Sequence, residues 1–178
     1  MRRRTLVGLG LVLAAPFGAA PATFAADTRI THALILDGSG APGRAGTLRI
    51  AGDRIAAVAY APETLAPLPG EAVLDVRGLT LAPGFIDTHT HGDEQVREHP
   101  DALAAVSQGI TTLVGGQDGG SELPLAQFFD ALERQPVAVN VASYAGHGTI
   151  RSRVLGADYR RPATAAEVEA MGGLLRTE

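Results

Sequence analysis

PGFIDTHTH, residues 83–91, is the most informative segment of the chain, because an apolar strand runs in it directly into two histidines. Side chains two positions apart on a strand point to the same face, so His89 and His91 can reach one ion. Imidazole is a good ligand for Zn²⁺ and related first-row metals. A bare His-x-His pair also arises by chance at a polar strand end. The surrounding sequence must therefore decide whether this pair belongs to a metal site or is a chance occurrence.

After Leu79 the sequence alternates between strand and helix patterns. Repeated βα units build a parallel sheet, and barrel enzymes place their sites at the carboxyl ends of such strands. We therefore predict the first three βα units of a TIM-like (β/α)8 barrel, which is truncated because a closed barrel needs eight. The predicted elements are strands at 110–114 and 137–143, helices at 101–108 and 125–134, a loop at 144–163, and a helix opened by a Thr164–Glu167 capping box.

The residues before this stretch favour a small N-terminal β-domain. Short apolar runs are separated by turns rich in Gly and Asp, which is typical of an antiparallel β-layer. We assign residues 26–82 to this domain and 83–178 to the incomplete barrel. The last helix pattern still runs at Glu178, from which we expect a truncated sequence. The predicted strands are 31–36, 47–50, 54–59 and 73–76.

The first 25 residues are predicted to be a signal peptide. Three arginines precede a short apolar run, and Thr23-Phe24-Ala25 fits a cleavage site of the small-x-small type. Cleavage after Ala22 and export by the twin-arginine route are alternatives. We expect an exported protein, periplasmic or secreted, without a stable membrane anchor.

Composition excludes several classes of function. A net charge of −4 and 4% aromatic residues argue against a nucleic-acid partner. All 15 basic residues are arginine, so this segment supplies neither a Schiff-base lysine nor a carbamylated lysine bridge. Cysteine is absent, so an exported protein must be stable without disulfides.

These motifs resemble the amidohydrolase superfamily, whose first-strand signature is Pro-Gly-Phe-Ile-Asp-x-His-x-His. The resemblance is sharpest to its N-acyl-D-amino-acid deacylase, or D-aminoacylase, group. It implies a hydrolase of non-peptide C–N bonds that uses one or two divalent ions, typically Zn²⁺, on a small N-acyl amino acid or related amide. Dihydroorotase-like and hydantoinase-like enzymes share parts of the pattern. The similar segments are 35–43, 52–58, 89–93, 107–114 and 146–151.

The chain departs from the D-aminoacylase pattern at one position. That group has an Asn-Cys-Gly segment whose cysteine binds the metal, and the matching residues here are 116–121, GQDGGS. Asp118 falls where the cysteine would be, and a carboxylate can replace a thiolate as a zinc ligand. We therefore expect Asp118 to be a ligand or a bridging ligand; the alternative is that Asp118-Gly119 is simply a turn.

Four further polar residues are candidates for supporting roles. Asp87 and Asp93 flank the histidines, and either could orient an imidazole. Ser121 and His147 are candidate contacts to substrate or to the ligands, although the position of His147 rather favours a hydrogen-bonded loop residue. We interpret His32 and His99 as structural.

The resemblance places the remaining metal histidines and the general-base aspartate beyond residue 178. No catalytic residue is therefore expected in this segment, which alone should be inactive. Two alternatives stay open, an exported cyclic-amide amidohydrolase and a non-catalytic remnant of the fold. A short structural β-protein is disfavoured by the ordered βα pattern.

Overall fold

The computed structural model describes residues 27–92 and 95–178. The predicted signal peptide and Asp93 therefore lie outside the described residues. The chain divides into two compact units, Met1–Gly84 and Phe85–Glu178. Among the described helices, none has both the length and the apolar character needed to cross a bilayer.

The first unit contains a five-stranded sheet with the order β3-β2-β1-β4 and a short β5 beside β1. Its core consists of apolar side chains from β1 and β2 and from the segment around β5, including Ile30, Leu48 and Leu81, which are 1–3% exposed. The strands are β1 Asp27–Ile35, β2 Arg44–Ala51, β3 Arg54–Tyr60, β4 Ala72–Asp75 and β5 Thr80–Leu81.

The prediction of an antiparallel layer is wrong for part of this sheet. Strand β1 is antiparallel to β2, but it is parallel to β4 and β5. The long Pro-rich connection at 61–71 lets the chain return to the far side of β1 in the same direction, which a tight hairpin turn cannot do. Alternation of apolar residues predicts that a segment is a strand, but it carries no information about strand direction.

The second unit is built on a three-stranded parallel sheet with the order β6-β7-β8. Val96, Leu113, Phe128 and Val139 form its buried core. The strands are β6 Phe85–Asp87, β7 Ile110–Gly115 and β8 Asn140–Ser143, and the helices are α1 Leu103–Val106, α2 Leu125–Arg134, α3 His147–Leu155 and α4 Ala165–Thr177.

Two predictions for the helices of this unit need correction. The first helix is a single turn, and it is preceded by Ala102 in a left-handed conformation with φ of 43°. The predicted loop at 144–163 contains α3, which buries only Ile150 and Leu155. Two buried residues leave too weak an apolar periodicity for a sequence to reveal a helix. The mixed α/β class is confirmed, and so is the Thr164–Glu167 capping box that opens α4.

Candidate metal centre

The two histidines lie just beyond the carboxyl end of β6. Strand β6 ends at Asp87, whose Oδ1 accepts a hydrogen bond of 3.2 Å from the backbone N–H of His89. This local turn, rather than the pleat of a continuing strand, directs the side chains that follow. The imidazole rings of His89 and His91 stand with their centroids 6.0 Å apart. The predicted convergence of the two histidines is therefore present, although both lie outside the strand.

Asp118 faces both imidazoles from the loop that follows the neighbouring strand β7. Its Oδ2 lies 3.0 Å from Nε2 of His89 and 3.3 Å from Nε2 of His91. The residue sits in a short 3-10 turn with φ of 58°, between Gly116 and Gly119, which also have positive φ. Aspartate is among the few non-glycine residues that tolerate such a left-handed backbone.

The electrostatics favour an ionised carboxylate. The hydrogen bond from His89, with smaller contributions from His91, lowers the pKa of the Asp118 carboxyl below its usual value. An ionised carboxylate only accepts hydrogen bonds or binds cations. All three side chains are more than half exposed, so they are accessible from solvent.

The three groups fit a divalent cation. One ligand atom from each of His89, His91 and Asp118 lies within 4.8 Å of the others. Zinc binds such nitrogens and oxygens at about 2.0–2.2 Å in a tetrahedral arrangement, so two ligands of one ion stand about 3.3–3.6 Å apart. Because all three side chains are more than half exposed, their rotation can bring the ligand atoms to the separations that one zinc ion needs. Three protein ligands with an open position is also the donor count of catalytic zinc sites.

Gln117 is a residue that sequence analysis missed. Its Nε2 donates a hydrogen bond of 2.5 Å to the carbonyl oxygen of Thr88, between Asp87 and His89. The bond ties the loop of Asp118 to the strand end that carries the histidines. No motif marks this residue, because the contact joins two loops distant in sequence.

The remaining candidates have other surroundings. Ser121 Oγ accepts a hydrogen bond of 2.8 Å from the backbone N–H of Gly146, so it faces the start of α3 rather than the three ligands. His147 is exposed and is the first residue of α3, which corrects its assignment to a loop. His32 pairs with Asp75 at 3.0 Å in the first unit.

Comparisons with known proteins give one consistent picture. A scan against models of known families found no match. The N-acyl-D-aspartate deacylase of Alcaligenes xylosoxydans xylosoxydans is 44% identical over 173 residues, which covers 84% of this chain and 34% of that protein. A crystal structure of N-acyl-D-glutamate deacylase from Bordetella bronchiseptica, with zinc and a phosphonate mimic of the tetrahedral intermediate, superimposes with a TM-score of 0.75.

That match has 36% identity and covers 84% of this chain and 35% of the other. A D-aminoacylase structure concerned with a binuclear metal centre gives 34% identity and a TM-score of 0.69, with coverages of 83% and 35%. The chain thus spans about a third of the length of the relatives it matches.

Proposed function

We propose that this chain carries the first metal ligands of an enzyme that hydrolyses the amide bond of N-acyl-D-amino acids. The chain is homologous to the N-acyl-D-amino-acid deacylases of the amidohydrolase superfamily. The predicted resemblance to D-aminoacylases is confirmed by relatives that match 84% of the chain. Because the chain spans about a third of the length of those relatives, the hydrolytic activity is proposed for the whole enzyme and not for residues 1–178 alone.

The observation that carries the proposal is the convergence of three ligand atoms beyond two adjacent parallel strands. His89 and His91 would supply imidazole nitrogens, and Asp118 would supply a carboxylate oxygen that offsets the charge of the cation. A bound divalent ion of the zinc type lowers the pKa of water and polarises an acyl carbonyl. Relatives crystallised with zinc, or with a binuclear metal centre, support one or two such ions.

The protein groups around the ligands have separate tasks. Asp87 fixes the backbone of His89, and Gln117 fixes the neighbouring carbonyl of Thr88. Held in this way, the imidazoles approach a cation with little loss of freedom, which raises affinity. Asp93 remains a candidate to orient an imidazole, and His147 a candidate contact to substrate.

We further propose that β6, β7 and β8 are the first strands of a (β/α)8 barrel. Their parallel order and the intervening helices support this, as does the similarity to deacylase structures. The other ligands and the general base would then come from later strands, so residues 1–178 alone would be inactive. The basic, apolar and small-residue pattern of residues 1–25 supports export to the periplasm or beyond.

The test is an assay of the full-length gene product after zinc is added. We expect it to release free amino acid from N-acetyl-D-aspartate, N-acetyl-D-glutamate or N-acetyl-D-leucine, and to leave the L-enantiomers intact. Dihydroorotate and hydantoin serve as cyclic-amide substrates. Turnover of these alone would replace the proposal with the cyclic-amide alternative. No turnover of any amide by zinc-loaded protein would favour the non-catalytic remnant.

A further inference from the structure

The loop that carries Asp118 packs backbone to backbone against the start of α3. A Cβ atom added at Gly146 would lie 2.5 Å from the carbonyl oxygen of Gly119, and one added at Gly148 would lie 2.9 Å from the same oxygen. Real Cβ contacts do not fall below about 3.0 Å because the repulsive wall is steep at that range. Glycine at both positions is therefore what allows this approach.

Hydrogen bonds fasten the same two segments. Ser121 Oγ accepts from the backbone N–H of Gly146 at 2.8 Å. Thr149 Oγ1 accepts from the N–H of Ser121 at 3.0 Å and donates to the carbonyl oxygen of Ser121 at 3.2 Å. Ser121, through its side chain and its main chain, and Thr149, through its hydroxyl, thus join the end of the Asp118 loop to the first turn of α3.

The Asp118 loop needs such a support. Asp118 has φ of 58° and Gly119 has φ of 89°, so two consecutive residues hold left-handed backbone angles. A non-glycine residue in this region is unfavourable and persists only when its surroundings fix it. Without the contact to α3, relaxation of Asp118 to the right-handed region would turn its carboxylate away from the histidines.

We propose that the first turn of α3, through Gly148 and Thr149, is the positioning element that sets the affinity of the metal centre. Neither residue is one of the three ligands. Gly148 acts by leaving room for the carbonyl of Gly119, and Thr149 acts by holding Ser121. This inference rests on the proposed function, since it assumes that Asp118 binds a cation.

The decisive variant is Gly148→Ala in the full-length protein. Alanine is the better helix former, so this change favours α3 while it pushes the Gly119 carbonyl away. The matched control is Gly120→Ala, because Gly120 has φ of −91° and a Cβ there would meet no atom within 4 Å. The probe is Co²⁺, added to metal-free protein, with affinity and the visible d–d spectrum as readouts.

We expect Gly148→Ala to weaken Co²⁺ binding by about tenfold or more and to alter the d–d spectrum, as loss of a ligand's support does. Because the added Cβ meets backbone atoms, the thermal midpoint of the metal-free Gly148→Ala variant should fall somewhat, whereas Gly120→Ala should match the wild type in every readout. Unchanged affinity and spectrum in Gly148→Ala would overturn the inference and leave the proposed function intact. A wild-type protein that does not bind Co²⁺ would overturn the proposed metal centre and this inference with it.

A second pair of variants serves if Gly148→Ala does not fold. Thr149→Val removes the hydroxyl at constant shape, and Thr149→Ser restores it. We expect the valine variant to bind Co²⁺ more weakly and the serine variant to recover wild-type affinity. Equal affinity of the two variants would contradict the role assigned to Thr149.

Discussion

The side-chain amide of Gln117 and the backbone carbonyl of Thr88 are joined by a hydrogen bond of 2.5 Å. The bond connects the loop that carries Asp118 to the strand end that carries both histidines. Gln117 Oε1, by contrast, is buried without a hydrogen-bond partner in the described part of the chain. A buried acceptor left without a donor is unfavourable. Gln117 is thus better explained by its link to Thr88 than by a contribution to general stability.

Replacement of Gln117 should therefore weaken the metal centre more than the fold. In Gln117→Ala the loop and the strand end lose their link, and we expect the dissociation constant for Zn²⁺ to rise by about 10- to 100-fold. Loss of one hydrogen bond should lower the free energy of unfolding by only about 1 kcal/mol. Calorimetric titration with Zn²⁺ and thermal melts of metal-free protein measure the two effects. Gln127→Ala, on the exposed side of α2, is the control, and equal affinities of the two variants would contradict the role of Gln117.

Removal of any one ligand should abolish tight binding of the cation. We expect His89→Ala, His91→Ala and Asp118→Asn each to weaken Zn²⁺ binding by at least about 100-fold, which exceeds the effect of supporting residues. Asparagine keeps the size of Asp118 and tolerates its left-handed backbone, so the loss would report charge rather than shape. Equilibrium dialysis measures the bound metal. His99→Ala is the matched control, and a similar loss in that variant would mean that the metal binds elsewhere.

The site was more predictable from the sequence than the architecture around it. The convergence of His89 and His91 was expected from local spacing, and the place of Asp118 beside them from its match to the metal-binding cysteine of the D-aminoacylase pattern. Both are present in the structure. Alternation along a strand does not by itself explain how the histidines converge, because the turn at Asp87 ends the strand before them.

Other features depend on contacts that no local pattern records. The parallel pairing of β1 with β4 is decided by how the long connection returns, not by the residues of either strand. Helix α3 has almost no apolar stripe and is held by glycine packing and by the Ser121–Thr149 hydrogen bonds. Gln117 acts through a contact across 29 positions of sequence, which spacing rules do not reach.

The capping box of α4 should make stability depend on pH in the acid range. The two-pronged hydrogen bond from Arg161, with help from Thr164, lowers the pKa of Glu167 from 4.5 to about 2. A group with a lowered folded pKa contributes stability that is present above pH 4.5 and is lost as the pH falls towards 2.

We therefore expect Glu167→Gln to be less stable than the wild type at neutral pH and the two to converge as the pH approaches about 2, because protonation removes the charge that Arg161 binds. Thermal melts from neutral pH to pH 2 measure the difference. Glu133→Gln, at an exposed position of α2, should follow the wild-type curve throughout. A constant gap between wild type and Glu167→Gln down to the lowest pH would contradict the assignment.

The carboxylate of Glu71 should hold the Pro-rich connection of the first unit, residues 61–71, in its observed conformation. Its side chain is 2% exposed and pairs with Arg29 at 2.7 Å and with Arg49 at 2.9 Å. It also accepts a hydrogen bond of 3.0 Å from the N–H of Leu68. The hydrogen bond from Arg49, with smaller contributions from Leu68 and Arg29, lowers the pKa of Glu71 below its usual value.

In Glu71→Ala two poorly solvated guanidinium groups lose their partner, and the Leu68 amide loses its acceptor. We expect hydrogen exchange at that amide to accelerate by about tenfold or more, since a hydrogen bond to a charged group contributes at least about 1.4 kcal/mol. Mass spectrometry of the peptide spanning 62–71 measures the change. Glu63→Ala, in the same connection, is the control. Unchanged exchange in Glu71→Ala would show that the connection is held by its own backbone.

The donor type at position 118 should determine which metals the centre prefers. With two imidazoles and a carboxylate, the site has no soft donor, and the chain has no cysteine to supply one. Thiolates favour soft, polarisable cations, whereas carboxylates favour harder ones. We therefore expect Asp118→Cys to raise the affinity for Cd²⁺ relative to that for Mn²⁺ by about tenfold or more. Competition titrations measure the ratio.

A thiolate-to-metal charge-transfer band in the near-ultraviolet spectrum of the Co²⁺ form would show that the new side chain is bound. Cysteine tolerates the left-handed backbone at position 118 less well than aspartate does, so absolute affinities for both metals should fall. The ratio of affinities is therefore the informative quantity, because a backbone effect common to both metals cancels in it. An unchanged ratio without the charge-transfer band would mean that residue 118 does not reach the cation and that Asp118-Gly119 serves only as a turn.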